Sequence, residues 1–310
     1  VLLILGVGIM LWMKPEENGV WEGEKTVEPG IGQVVLTLGD GESMPLKRDT
    51  NRLIFGGTTL QVRNERGTLV YSRIKSKEAS EKIVYNTLTV PVRERFQLVL
   101  ADGTKVFLNS GSEMRYPERF GKARREVFLK GEAWFEVAKD SAREFWVHAG
   151  AMDVKVLGTS FNVKAYERLE TVATTLVEGS VEVACAGKSF QIVPGEQFVY
   201  DKNNRVMDVR MVDTESYVSW KDGYYKFRQT TLEEIMETLS VWYGLNVFYV
   251  NESAKQVEFT GKVKRYEDAR MLLDKFEQTG DVVFDIKGNN VFITIKQKKA
   301  VRTGVEQLFS

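Results

Sequence analysis

From Phe96 to Met211 the chain consists of short runs of alternating apolar and polar residues, with a turn signal about every ten residues. The turns fall at Asp102-Gly103, Gly111, Gly121, Gly131, Gly150, Gly158, Gly179, Gly187, Pro194-Gly195 and Asn203-Asn204. A period of two puts every second side chain on one face of a sheet, and no helical pattern interrupts it. The spacing predicts an all-β sandwich or β-solenoid. Its core face reads as Val127, Leu129, Phe135, Val137, Val154, Val156, Phe161, Val163, Leu176, Val181, Val183, Ile192 and Phe198. At the centre, Val154–Tyr166 predicts two strands, Val154–Leu157 and Phe161–Tyr166, hinged at Gly158-Thr159-Ser160. Leu129–Val137 and Leu176–Val183 flank it. Each sets a glycine beside a carboxylate at the head of an alternating run, which predicts a strand entered through a glycine turn.

Upstream, Val34–Leu46 places two apolar runs around Gly39-Asp40-Gly41. Asp-Gly between such runs signals a hairpin, because glycine accepts the positive φ of the turn. The phrase returns at Leu98–Leu108 around Asp102-Gly103, setting Leu36, Leu38 and Leu46 against Leu98, Leu100 and Leu108. Between the two copies, Leu60–Val62 and Leu69–Ile74 read as strands.

The period changes at Trp220. Tyr224–Phe227 predicts a strand. Thr231–Tyr243 predicts a helix with Leu232, Ile235, Met236, Leu239, Trp242 and Tyr243 on one face. Thr230 with Glu233, or Thr231 with Glu234, offers a capping box, and Gly244 stops the helix. Strands at Asn246–Val250 and Val257–Val263 follow, then a helix over Tyr266–Thr279 ending at Gly280. Strands Val282–Ile286 and Val291–Ile295 close the unit around Gly288-Asn289-Asn290. The order is β-α-β then β-α-β-β, a small α+β domain whose halves resemble each other. The expected fold class is therefore mainly β with α+β, the all-β part spanning 33–212 and the α+β part 220–297. Within the first, 33–92 is an upstream β segment and 93–212 the main part. Residues 298–310 read as a polar tail.

Composition narrows the chemistry. Lys+Arg and Asp+Glu both total 43 in 310 residues, so the formal net charge is zero and nothing favours nucleic acid. One cysteine and one histidine leave no disulfide framework and no Cys/His metal cluster. No G-x-S-x-G elbow, P-loop or dinucleotide fingerprint is present, so no cofactor is expected. Residues 1–13 are apolar up to Lys14-Pro15. That is short of the roughly 20 residues of a full span. They read as the C-terminal half of a membrane helix, against the rival readings of a signal-peptide core or a buried segment. No small-x-small cleavage site precedes Lys14. Residues 14–32, polar and glycine-containing, read as a linker.

The phrases "LADGTKVFLNSGSEMRYPERF", "REVFLKGEAWFEVAKD", "VKVLGTSFNVKAY", "TTLVEGSVEV", "IVPGEQ", "SWKDGYYKF" and "LEEIMETLSVWYGLNV" occur in this order across Leu98–Val247. In them the chain resembles the FecR-type anti-sigma regulators of Gram-negative bacteria, particularly Bacteroidota members. The resemblance implies a single-pass inner-membrane protein with the residues after 14 in the periplasm. It implies two partners. One is the N-terminal signalling domain of a TonB-dependent outer-membrane transporter. The other is an extracytoplasmic-function sigma factor, held by a cytoplasmic segment missing from this sequence. It also implies a second domain similar to the small signalling domain of such transporters, and binding in place of catalysis.

Cys185 and His148 are the only thiol–imidazole combination, and both sit in strand-like runs, where a packed thiol and a satisfied imidazole are the simpler reading. Glu132 and Glu136 share one strand face, as do Glu178, Glu182 and Glu196 if neighbouring strands align. Paired carboxylates suit a glycosidase, but edge or solvent-face charge explains them as well. Gly158-Thr159 has the residues for self-cleavage, in which a hydroxyl attacks the preceding carbonyl. Gly57-Thr58, Gly67-Thr68 and Gly103-Thr104 repeat the dipeptide, so a plain turn glycine is the default. Trp220, Tyr224 and Tyr225 are the candidate partner-binding residues, with one of the two tyrosines expected to be buried. In the alternative function, a membrane-tethered β-sandwich that binds envelope glycan, exposed aromatics serve as sugar platforms.

Overall fold

The structure, a computed structural model, describes residues 32–47, 51–56, 60–73, 83–265 and 268–296. The expected membrane segment 1–13, nearly all of the linker, the Gly57-Thr58 pair and the tail lie outside these residues. Among the described residues no helix is long and apolar enough to cross a membrane.

The first unit is built from β1 (Val34–Thr37), β2 (Ser43–Leu46), β3 (Asn51–Gly56), β4 (Leu60–Glu65), β5 (Thr68–Arg73), β6 (Tyr85–Thr89), β7 (Phe96–Val99), β8 (Lys105–Leu108) and β9 (Glu113–Pro117). It continues through β10 (Arg125–Glu136), β11 (Phe145–Ala149), β12 (Met152–Val156), β13 (Ser160–Ala165), β14 (Thr171–Glu178), β15 (Val181–Cys185), β16 (Lys188–Ile192), β17 (Glu196–Asp201) and β18 (Val206–Met211). The pairings make one curled sheet folded on itself as a sandwich. One layer runs β2-β1-β6-β9-β10-β11-β12-β15-β16. The other runs β3-β4-β5-β7-β8-β10-β13-β14-β17-β18.

Strand β10 belongs to both layers, and Gly131 is where it changes over. Lys130 pairs with Glu113 in the first layer and Gly131 with Ala165 in the second. Gly131 has φ +106°, and a Cβ there would lie 2.7 Å from Ser112 Cα. Only glycine permits both the bend and that approach. The sequence pattern put Gly131 at a turn before a strand. It sits instead at the corner inside one, because β10 keeps its hydrogen bonds through the bend. Gly179, at φ +97°, is the expected turn between β14 and β15.

All thirteen expected core positions are buried between the two layers. Phe135 stacks on Phe161 at 5.2 Å and meets Phe145 edge-on at 6.2 Å, joining the layers. Each such side chain contributes about 1.5–3 kcal/mol through apolar burial. The repeated Asp-Gly phrase forms the same turn twice. Gly41 donates to Leu38 and Leu38 to Glu42, and in the second copy Gly103 donates to Leu100 and Leu100 to Thr104.

A short helix α1 (Glu215–Val218) and a 3₁₀ turn (Ser219–Asp222) lead into the second unit. It contains β19 (Tyr224–Thr231), α2 (Leu232–Tyr243), β20 (Asn246–Tyr249), β21 (Glu258–Lys264), α3 (Ala269–Glu277), β22 (Val282–Lys287) and β23 (Asn290–Ile295). Of the two candidate N-caps the structure uses Thr231, whose Oγ1 accepts from Glu234 N at 3.3 Å. Gly244, at φ +69°, caps the other end. Helix α3 begins at Ala269, later than expected, with the Asp268 carboxylate accepting from Arg270 N at 2.8 Å. The two halves interlock: their first strands, β19 and β21, pair with each other, while β20, β23 and β22 form a separate sheet.

Candidate functional site

The second layer of the sandwich carries an outward row whose residues are consecutive cross-strand neighbours: Phe107, Trp134, Asn162, Thr175, Gln197 and Arg210. By alternation these belong on the solvent side. The α+β unit covers them. Trp134 joins the second unit's core with Trp220, Tyr225 and α2, and Phe107 and Val177 pack against the same cluster.

Polar groups lock the junction. Glu132 is buried, accepting from Asn109 Nδ2 at 2.8 Å and Asn162 Nδ2 at 2.9 Å. Burial pushes its carboxyl above the usual range, against the pull of Lys164 and of those two amides. Asn162 Oδ1 in turn accepts from Trp220 Nε1 at 3.2 Å, tying the floor to the second unit. Lys164 reaches Glu237 at 3.5 Å, and Arg210 reaches Glu234 at 3.6 Å. Arg95 hydrogen-bonds the Lys221 carbonyl, and within the second unit the Arg265 guanidinium lies 3.6 Å from the Trp242 ring centroid.

This placement corrects two sequence expectations. Trp220 and Tyr225 are buried in the junction, so neither offers a ring to a partner or a surface glycan. Tyr224 stays partly exposed, but Lys262 covers its ring at 3.7 Å and its hydroxyl donates to Glu215 at 3.0 Å. Glu132 is no solvent-face charge, while Glu136 on the same face is half-exposed and pairs with Lys105 at 3.7 Å. Glu178 and Glu182 lie in different layers, so they do not share a face. Nothing in the sequence distinguished Glu132 from Glu136. Only the overlying unit does.

The other candidates are accounted for by packing. His148 Nδ1 sits 2.7 Å from Asp153 Oδ1, and its ring stacks on Phe128 at 4.9 Å. Cys185 points to the opposite, buried side of the sheet, and burial followed by the Asp153 charge raises its thiol pKa. The two are not a dyad. Thr159 is buried and its hydroxyl donates to the Ser180 carbonyl at 3.0 Å. Gly158 is required for space: a Cβ there would lie 2.8 Å from Lys139 Cα. A Cβ on Gly179 would likewise lie 2.7 Å from Thr159 Oγ1, so the two glycine phrases of the sequence meet at this threonine. Among the described residues no group of three His, Cys, Asp or Glu side chains is placed to hold a metal.

Among the described residues the α+β unit leaves one edge of β20 unpaired. Strand β20 pairs only with β23 among the described strands. Asn246 and Val250 donate to Asn289 and Ile293, so alternation turns the backbone groups of Val247 and Tyr249 outward. Phe248 is 47% exposed, stacked on Phe292 at 5.1 Å.

Residues 86–182 match the family model described as FecR protein, and residues 224–293 match FecR, C-terminal. Together they take in more than half of the chain. Two crystal structures from Parabacteroides distasonis, each described as an anti-sigma factor, share the fold. At 1.65 Å the identity is 28%, the TM-score 0.62, and the match covers 67% of this chain and 98% of the other. At 2.50 Å the figures are 27%, 0.62, 68% and 99%. No curated protein matches the chain. The sandwich carries the FecR model, the α+β unit carries its C-terminal counterpart, and the solved relatives share the fold at that identity: the chain belongs to the FecR family of anti-sigma factors.

Proposed function

We propose that this regulator is the periplasmic sensing region of a single-pass inner-membrane anti-sigma factor. In this reading residues 1–13 are the end of the membrane helix and the rest is periplasmic. Occupancy of a TonB-dependent outer-membrane transporter alters how its N-terminal signalling domain contacts the α+β unit. The change passes through the junction and the membrane helix to an extracytoplasmic-function sigma factor, held by a segment outside this sequence.

The observation that carries the reading is the open edge of β20 in the FecR C-terminal unit. An unpaired edge accepts a partner strand through backbone hydrogen bonds, with little side-chain signature. Exposed Phe248 and Val250 beside it supply apolar contact. The polar junction supports a relay, because the two units are tied by buried hydrogen bonds and not by a loose tether.

The test is a pull-down from an envelope extract with residues 15–310, compared with a chain cut after Met211. Recovery of a TonB-dependent transporter by the first and not the second places recognition in the α+β unit. Phe248→Lys puts a charge on the edge and is expected to abolish capture while leaving the melting temperature unchanged. Capture that survives both changes would sink the reading, as would polysaccharide recovered with no transporter.

A further inference from the structure

Where the row of polar residues runs out from under Trp220, a cleft of 310 Å³ opens between the sandwich and the α+β unit. That is at the lower end of the ~300–1,000 Å³ typical of small-molecule pockets. Its floor is Asn162, Thr175 and Gln197, exposed by only 3%, 1% and 3%. Its roof includes Ser216, Tyr217, Trp220 and Tyr225.

The hydrogen bonds on the floor leave capacity over. Gln197 Nε2 donates to Thr175 Oγ1 at 2.9 Å, and its Oε1 accepts from Arg210 at 3.4 Å. Asn162 Nδ2 donates to Glu132, and its Oδ1 accepts from Trp220. An amide nitrogen has two donors, so each side chain keeps one N–H without a partner among the described residues. On the roof, the buried Ser216 Oγ has no hydrogen-bond partner either. Buried polar groups are normally satisfied, so the unpartnered Ser216 Oγ, together with the spare donor capacity of the two floor amides, points to an occupant.

The charges select its chemistry. Lys164 and Arg210 are engaged by Glu237 and Glu234, and Lys226 by Asp213 and Glu215 at 3.0 and 2.5 Å. The remaining charges on the lining, Glu132, Glu170 and Glu233, are acidic. An anion finds no uncommitted cation. A cation finds Glu132 already held by two amides and Glu233 paired with Lys255 at 3.5 Å, with only the exposed Glu170 left at the rim. An apolar molecule would strand the floor amides. What fits is a neutral molecule dense in hydroxyls, with a C–H face to lie against the partly exposed Tyr217 ring. We propose that this cleft binds a small neutral polyhydroxylated ligand, one or two sugar rings in size, contacting both units at once.

The experiment follows the Trp220 indole N–H resonance of the full chain, assigned by its absence in Trp220→Phe. The probes are glucose, galactose, mannose, N-acetylglucosamine, maltose and cellobiose, with inorganic phosphate and spermidine as charged probes. At least one neutral sugar is expected to shift the resonance saturably. Gln197→Leu is expected to weaken that binding about 10-fold or more, and Ser216→Val to do so from the roof should Gln197→Leu fail to fold. No saturable shift from any sugar up to about 50 mM overturns the proposal, since even millimolar affinity would saturate there. A shift by phosphate or spermidine alone overturns the assignment of a neutral ligand. Sugar binding is independent of transporter capture, so the two readings fail separately.

Discussion

Ser110 Oγ in the sandwich lies 3.1 Å from the carbonyl oxygen of Val241 and 3.3 Å from that of Trp242, in the last turn of α2. A helix leaves its final carbonyls without intrahelical donors. Here Ser240 O takes Leu245 N and Gly244 N, while the next two carbonyls are served from the other unit. Trp242 O also accepts Arg93 N at 3.1 Å, and Arg93 N is 2.9 Å from Ser110 Oγ. The docking of the two units is thus written into how one helix ends.

Ser110→Ala leaves these buried groups short of a partner and is expected to cost about 1–3 kcal/mol. Amide exchange should show the loss concentrated at the C-terminal turn of α2. Uniform loss across the sandwich would mean that Ser110 serves its own layer and not the junction.

The two Asp-Gly turns give a paired prediction. Asp102 accepts from the fully buried Arg125 at 2.8 Å, and Arg125 also donates to the Ala138 and Arg143 carbonyls. Asp102→Asn leaves a buried guanidinium without its counter-charge and is expected to destabilise by about 3–5 kcal/mol. Asp40→Asn, at the exposed equivalent turn, should change stability by no more than about 0.5 kcal/mol. Urea unfolding of the two variants side by side separates turn geometry, which they share, from the ion pair, which they do not.

Glu132 sets a pH dependence. Its folded pKa is raised above the ordinary 4.5 by burial, so the native state holds this proton more tightly than the unfolded chain. The stability it contributes is fully present below about 4.5 and is lost as pH rises through the folded value. Unfolding midpoints taken from neutral pH down to about 4.5 should therefore show wild type gaining on Glu132→Gln. A constant difference between the two proteins over that range would contradict the assignment.

At Gly158-Thr159 the expected result is an intact chain. The Thr159 hydroxyl is committed to Ser180 O, and Gly158 lies outside the left-handed φ region. Purified wild type and Thr159→Ala should run as one band of the same mass. Fragments ending at Gly158 in wild type alone would establish self-cleavage. Gly158→Ala should be destabilising by about 1–3 kcal/mol, because its Cβ meets the Lys139 backbone.

Local period by itself determined the β character of the sandwich, every core position taken from it and, through the change from two to 3.6, the β-α-β then β-α-β-β order of the second unit. These depend on local period, which the pleat and the helix turn impose directly on the sequence. The Gly131 corner escaped it, since a glycine that bends a strand and one that precedes a strand look alike in one dimension. The junction escaped it more completely. Glu132, Trp134, Asn162, Thr175 and Gln197 occupy outward positions, and alternation says only which side faces the core. Whether the other side meets water or a second unit is decided by contacts far apart in sequence, such as Ser110 with Val241, 131 residues on. Alternation said that one of Tyr224 and Tyr225 is buried but not which, and left Trp220 a candidate for partner binding for the same reason. Which aromatic is core and which is free depends on what folds over it, and that only the tertiary structure decided.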